Sequence, residues 1–329
     1  MRVPRAITIA LTAMVSSSCA LASMSRAPTV PGAREFSQSI QVRGKPFELH
    51  LMAPRTPGAH PVMVLYASGD GGWFGAAVDM FHQIGNAGYF VVGFSSRAFL
   101  RIERPHGSLV TAAQLSAEYD QILSPARVAL GLGPTTRVVL TGWSRGAAFS
   151  VLVGSERLSQ DDILGVIAIG LAEGEDLAIN DAADDTDNSS GSRQRQWPFE
   201  TYALISRLDA LPCAVIQASH DVYLPAARAR QLFGPDTPLR RLYAIEASNH
   251  RFSGGKAAFD MALLDALHWI AASARVAADP MPATTPIGES SMRATRVSAN
   301  GAWGRVRPAS STDVPVAVDA PLLRCCERH

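Results

Sequence analysis

Continuous apolar runs alternate along this chain with stretches whose apolar residues recur every three to four positions. The runs cover residues 62–66, 89–94, 137–141, 163–169, 213–218 and 239–245. Helical spacing covers 76–87, closed by Gly88, then 108–130 with an interruption near Pro125, 146–157, 226–233 and 256–274. In the last of these, Phe259, Leu263, Leu264, Leu267 and Ile270 share one face. A strand that is apolar at every position is buried on both faces, as in a parallel sheet covered by helices. Strand and helix in strict alternation therefore predict an α/β fold built on a mostly parallel, doubly wound sheet. Upstream the period drops to two. Residues 36–42 and 47–51, joined by Arg43-Gly44-Lys45-Pro46, predict an antiparallel hairpin at a sheet edge.

Three stretches depart from this pattern. Residues 173–199 run acidic, then Ser- and Gly-rich, then basic, and cannot bury much apolar surface. Two readings stand: a mobile lid over the carboxyl edge of the sheet, or a disordered surface insertion. Residues 276–329 lack periodicity and are rich in Pro, Ala, Ser, Thr and Arg, which predicts a disordered tail. At the other end, Met1-Arg2-Val3-Pro4-Arg5 is basic, residues 6–15 are apolar but too few to span a bilayer, and Ala20-Leu21-Ala22 is a small-residue cleavage site. This predicts an export signal over residues 1–22, a spacer over 23–35, and a periplasmic or secreted protein whose folded domain covers 36–275. Cys19 adds a lipid-anchor alternative, although Ser16-Ser17-Ser18 lacks the aliphatic residue that such a site carries upstream.

Composition narrows the picture further. The chain has 329 residues, 47% of them hydrophobic, and a net charge of +1. That describes a protein with a substantial core and gives no reason to expect a nucleic-acid partner. Cys213 sits in an apolar run and reads as a buried, inert thiol. Cys325 and Cys326 are adjacent, so the four cysteines form neither a disulfide framework nor a zinc-ligand spacing. No metal or other cofactor is expected.

The chemistry concentrates at Gly142-Trp143-Ser144-Arg145-Gly146, a G-x-S-x-G string. An apolar run precedes it and a small-residue run, beginning Gly146-Ala147-Ala148-Phe149, follows. In a strand–turn–helix context this string holds its serine in a strained backbone conformation and lifts the hydroxyl above the sheet edge. Ser144 is thus the candidate nucleophile. Its base should follow an acid in the chain. Among His220, His250, His268 and His329, only His250 lies in a loop after the last predicted strand. Asp221 follows the 213–218 run and is the candidate acid, with Asp209, inside a helical pattern, as the runner-up. The oxyanion would take one amide from Arg145 and one from the loop after the 62–66 run, where Asp70 sits between Gly69 and Gly71. An anion there would oppose catalysis if it pointed inward. The Asp70 carboxylate therefore either turns away as a turn or helix cap, or reads a cationic group on the substrate. Gly69, Gly71, Trp73, Trp143 and Tyr223 are the candidate substrate-binding residues.

The order of strands, elbow, Asp and His resembles the α/β-hydrolase superfamily. Ser68-Gly69-Asp70-Gly71-Gly72-Trp73, Gly88-Tyr89-Phe90-Val91-Val92-Gly93 and Asn249-His250-Arg251-Phe252-Ser253-Gly254 resemble, more narrowly, the bacterial VirJ/AcvB-type virulence-protein branch, over about residues 61–270. That resemblance implies a periplasmic hydrolase of an aminoacylated phospholipid such as lysyl-phosphatidylglycerol, whose ammonium groups would suit Asp70, and with it an association with the membrane surface. Two positions depart from the branch. It has an aromatic residue after the nucleophile and an acidic one three positions beyond, where this chain has Arg145 and Ala148. Arg145 would equally suit a phosphate or carboxylate. The expected partner is a small-molecule or lipid ester. A general esterase or peptidase of the same fold, and a non-catalytic periplasmic binding protein on a hydrolase scaffold, are the competing readings.

Overall fold

The computed structural model describes residues 33–56, 61–102, 110–156, 162–177 and 199–278. Contacts divide the chain into residues 1–280 and 281–329, and every described residue belongs to the first unit. The expected export signal, Cys19, the tail beyond Ala278 and most of the 173–199 insertion lie outside the described residues, while the expected spacer and tail each yield their first folded residues, Arg34 and Glu35 to a strand and 276–278 to the last helix.

The first two strands, β1 (Arg34–Val42) and β2 (Lys45–Ala53), form the antiparallel hairpin. Its turn is only Arg43-Gly44, both with positive φ (53° and 70°), the form that matches strand twist. Lys45 and Pro46, expected in the turn, instead pair with Val42 and Gln41. The tip is docked: the Arg43 backbone N–H donates to Gln121 Oε1 at 2.9 Å, and its guanidinium meets Glu118 at 3.1 Å.

Next come β3 (Met63–Ala67), α1 (Ala76–Asn86), β4 (Phe90–Phe94), α2 (Ser96–Arg101), α3 (Ala112–Leu130), β5 (Val138–Trp143), α4 (Arg145–Glu156) and β6 (Ile163–Ile169). A short antiparallel pair, β7 (Gly174–Glu175) and β8 (Phe199–Glu200), closes the neck of the insertion. The chain continues through α5 (Thr201–Ile205), β9 (Cys213–Ala218), α6 (Ala226–Phe233), β10 (Arg240–Ile245) and α7 (Lys256–Ala278). The main sheet has eight strands in the order β1-β2-β4-β3-β5-β6-β9-β10. It is parallel from β4 to β10 and antiparallel at β1–β2 and β2–β4.

Alternate residues of each central strand feed opposite cores. Val138 and Leu140 pack with α3 and α4, through Leu115, Tyr119 and Phe149. Val139, between them, packs on the other face, where α1 and α7 supply Phe81, Ile84, Phe259 and Leu263. This two-sided burial is why the strands read as unbroken apolar runs.

Two helices differ from the sequence expectation. α3 runs unbroken through Pro125, because Tyr119, Ile122 and Leu123 before it and Ala126 and Leu130 after it are all buried on one core. That burial outweighs the lost backbone donor. The helix starts at a capping box, in which Thr111 Oγ accepts from Gln114 N and Gln114 Oε1 accepts from Thr111 N. α2 has six residues, too few for a periodic signal. Cys213 is buried and free, its thiol pushed up to about 12 by burial. No helix among the described residues is long and apolar enough to cross a membrane.

Candidate active site

The chain leaves β3 through α1 for β4 on one side, and leaves β5 through α4 for β6 on the other. Since β3 and β5 are neighbours, their carboxyl ends open a crevice at the switch point, where open α/β sheets bind ligands. Ser144 follows β5 directly, and Gly69 to Ala76 follow β3.

Ser144 has φ 57°, a conformation that costs a non-glycine residue about 1–3 kcal/mol. The surroundings hold it there. Its N–H donates to Ile169 O at 2.8 Å and its carbonyl accepts from Ala147 N at 2.9 Å. The flanking glycines allow the strand and helix to cross. A Cβ on Gly142 would lie 2.2 Å from the Gly146 carbonyl, and one on Gly146 would lie 2.0 Å from Ala67 O. The elbow is therefore packed onto the end of β3. The Ser68–Trp73 loop abuts it as well, since a Cβ on Gly69 would stand 3.0 Å from Ser144 Cβ.

Asp221 and His250 come together from the ends of β9 and β10. Asp221 Oδ2 lies 2.7 Å from His250 Nδ1. The carboxylate is buried and also accepts from Gln217 Nε2 at 3.0 Å and from Tyr223 N at 2.9 Å. When Nδ1 of the neutral ring donates to Asp221, Nε2 is left as the acceptor, and that buried atom has no hydrogen-bond partner among the described residues. Trp143 stacks on the imidazole at 5.5 Å, Tyr223 meets it edge-on at 4.9 Å, and Trp143 Nε1 donates to His250 O. Gly170, with φ 59°, leaves room for the ring: a Cβ there would fall 2.7 Å from His250 Cε1. The other acid candidate, Asp209, precedes β9 at the opposite edge of the sheet and is exposed. His220 is exposed near Ala247 O and Glu246, and His268 lies in α7 against Tyr89.

Asp70 and Arg145 face each other. Arg145 Nε lies 2.8 Å from Asp70 Oδ1 and 3.2 Å from Glu175 Oε1, and Nη2 lies 4.0 Å from Asp176 Oδ1. The Nε–H is not aligned with either near oxygen, so these are charge contacts rather than directed hydrogen bonds. The side chain of Arg145 is only 12% exposed. The Asp70 carboxylate thus meets a cation of its own chain and does not cap α1, whose N-cap, Gly75, has no side-chain hydrogen bond. Desolvation holds the Glu175 and Asp70 carboxyls above their ordinary values, while Arg145 pulls both down. Glu175 is 11% exposed and Asp70 59% exposed, so solvent screens the charge of Asp70 more. Glu175 Oε1 also accepts from Asp176 N and Leu177 N.

A cleft of about 470 Å³ joins these parts, lined by Gly69, Asp70, Gly71, Phe74, Ser144, Tyr223 and His250 among others. Trp143 also lines it. Trp73, expected in the cleft, does not. It turns inward to stack on His50 at 4.3 Å and to pack against Phe81 and Gly93. Phe74 takes the place at the cleft. Sequence reasoning also missed Gln217, a lone polar residue in an otherwise apolar strand four positions before Asp221, and Glu175, hidden in an acidic run. Gln217 carries a readable signal, Glu175 none.

Neither a protein-family model nor a curated protein sequence matches the chain. Solved structures do. A Klebsiella pneumoniae protein assigned as a dienelactone hydrolase superposes with a TM-score of 0.52 at 14% identity, over 73% of this chain and 98% of its own. Est1E from Butyrivibrio proteoclasticus does so with a TM-score of 0.51 at 14% identity, over 71% of this chain and 99% of its own. The likeness is one of fold: this chain has the α/β-hydrolase fold.

Proposed function

We infer that this protein is a serine hydrolase that cleaves a carboxylic ester. The observation that carries the reading is that His250, 2.7 Å from the buried carboxylate of Asp221, lines the same cleft as a serine held at φ 57° between β5 and α4. In this reading His250 Nε2 takes the proton of Ser144 Oγ as the Oγ–C bond forms and the carbonyl pair moves onto oxygen. The N–H groups of Arg145 and Asp70 receive that oxyanion. Its collapse breaks the ester C–O bond, and His250 returns the proton to the leaving alkoxide. Water then repeats the sequence on the acyl-enzyme and regenerates Ser144. Asp221 holds the imidazole tautomer throughout.

An aminoacyl phospholipid, such as lysyl-phosphatidylglycerol, is the substrate proposed within that class. Two features support it. Asp70 lines the cleft and offers a carboxylate to an ammonium group, while Arg145 and Arg251 stand beside it and suit the phosphate of the same lipid. Phe74, Val222 and Tyr223, which line the cleft, are 56%, 80% and 67% exposed, an apolar rim suited to a lipid surface. Such a substrate fits the exported, periplasmic location proposed from the N-terminal sequence.

A fluorophosphonate probe and a nitrophenyl ester test the reaction. Wild type should label and turn over, and Ser144→Ala should do neither. An unlabelled wild type would favour a binding protein on a hydrolase scaffold. Release of free lysine from lysyl-phosphatidylglycerol tests the substrate, and turnover of simple esters alone would leave a general esterase.

A further inference from the structure

We propose that Ser96, with Ser68, is a positioning residue that locks the Gly69–Asp70 peptide so that the Asp70 N–H stays turned toward the oxyanion. This rests on the hydrolase reading above and adds to it the device that keeps one of its two donors preformed. The Gly69 carbonyl accepts from three donors: Gly72 N at 3.0 Å, Ser96 Oγ at 3.1 Å and Ser68 Oγ at 3.2 Å. Ser96 N in turn donates to Ser68 Oγ at 3.3 Å, closing a ring of hydrogen bonds between the β3 loop and the start of α2.

A planar trans peptide points its C=O and N–H in opposite directions. With the Gly69 oxygen drawn toward the two serines, the Asp70 N–H must face away from them. Ser144, against which Gly69 is packed and with which Asp70 shares the cleft, is the group that this peptide orientation serves in the proposal. No backbone carbonyl among the described residues takes the Asp70 N–H. If the peptide flipped, the hole would lose a donor and gain a carbonyl.

Neither serine caps a helix. Capping of α2 is done by Ser95, whose Oγ accepts from Ala98 N at 3.1 Å. Ser68 and Ser96 are fully buried, and a buried hydroxyl is costly unless bonded. Their hydroxyls both converge on one carbonyl, that of Gly69.

The test uses the full chain, a nitrophenyl ester and an aryl trifluoromethyl ketone. The ketone forms a hemiketal: Ser144 Oγ bonds to its carbonyl carbon, the carbonyl pair becomes the oxyanion, and the Ser144 proton passes to His250. Ser96→Ala should lower kcat about tenfold and weaken the ketone by a similar factor, with KM unchanged; outright loss of an oxyanion donor costs about 10²–10³ in kcat. Ser68→Ala should act in the same direction, and it stands in if Ser96→Ala fails to fold by near-ultraviolet circular dichroism. A purely structural role would instead lower Tm, or shift KM and ketone affinity alike, and that result overturns the assignment, as does wild-type kcat in the folded variants. If wild type itself neither turns over ester nor binds ketone, the hydrolase reading fails first and the assignment falls with it.

Discussion

Arg145 Nε stands 2.8 Å from Asp70 Oδ1, so the first residue of α4 grips the loop that follows β3. The two residues proposed to supply the oxyanion's amides are joined through their side chains. An ion pair with one partner 59% exposed contributes little net stability, because solvent screens the attraction and ordering the two side chains offsets much of the rest. Its use here is geometric. Arg145→Met and Asp70→Ala should each lower kcat by about ten- to hundredfold through misplacement of the loop. The double variant should be no worse than the weaker single one, since both break one contact. Additive losses in a double-mutant cycle would show that the residues act separately.

Glu175 shares the same guanidinium, 3.2 Å away, and gives a pH signature. Desolvation raises its carboxyl above the ordinary carboxylate value, against the pull of Arg145. A raised folded-state pKa means the folded protein binds the proton more tightly than the unfolded chain does. The resulting stability is fully present below the ordinary carboxylate value and is lost as pH rises through the raised one. Glu175→Gln mimics the protonated form at every pH. Its Tm relative to wild type should therefore be more favourable at pH 8 than at pH 4. Melting curves of both proteins at the two values check this, and the opposite order would mean that the Arg145 attraction dominates.

Much of this arrangement is legible in the sequence, for physical reasons that also mark where legibility ends. The strand ends that carry Ser144 and Asp221 are readable because strands buried on both faces must be apolar throughout, and a polar residue at the end of such a run stands out. The side-chain directions in the 68–75 loop are not readable. Trp73 and Phe74 are adjacent aromatics in a segment without periodicity, and only the space above Gly93 decides that Trp73 turns inward. α2 escaped notice because six residues cannot show a helical repeat, so Ser96 had no visible link to Gly69. Glu175 read as one charge in a solvated run. It is buried because the β7–β8 pairing pulls the neck of the insertion down beside Arg145.

Asp221 is held on both oxygens, by Gln217 and His250 on one and by Tyr223 N on the other. Asp221→Asn puts a donor where the Nδ1–H needs an acceptor and disfavours the productive tautomer. It should lower kcat by about 10⁴ with little change in KM. Gln217→Met removes one donor and leaves the acid in place, so its loss should be smaller, about tenfold. Steady-state kinetics on a nitrophenyl ester give both numbers. Equal losses would make Gln217 as necessary as the acid it holds.

The space beside His250 offers the sharpest separation of stability from activity. Gly170 has φ 59°, and a Cβ on it would fall 2.7 Å from His250 Cε1 and 3.1 Å from Nδ1. Gly170→Ala therefore carries two penalties, one for the left-handed backbone and one for the collision with the imidazole. Gly44 isolates the first of these. It has φ 70° in the β1–β2 turn, and nothing lies within 4 Å of its hypothetical Cβ. Each alanine should cost about 1 kcal/mol through the backbone alone, read as a lower Tm. Only Gly170→Ala should also displace the ring from Asp221, and with it lose most fluorophosphonate labelling and ester turnover. Equal turnover in the two variants, at equal loss of Tm, would mean that the imidazole adapts without leaving Asp221.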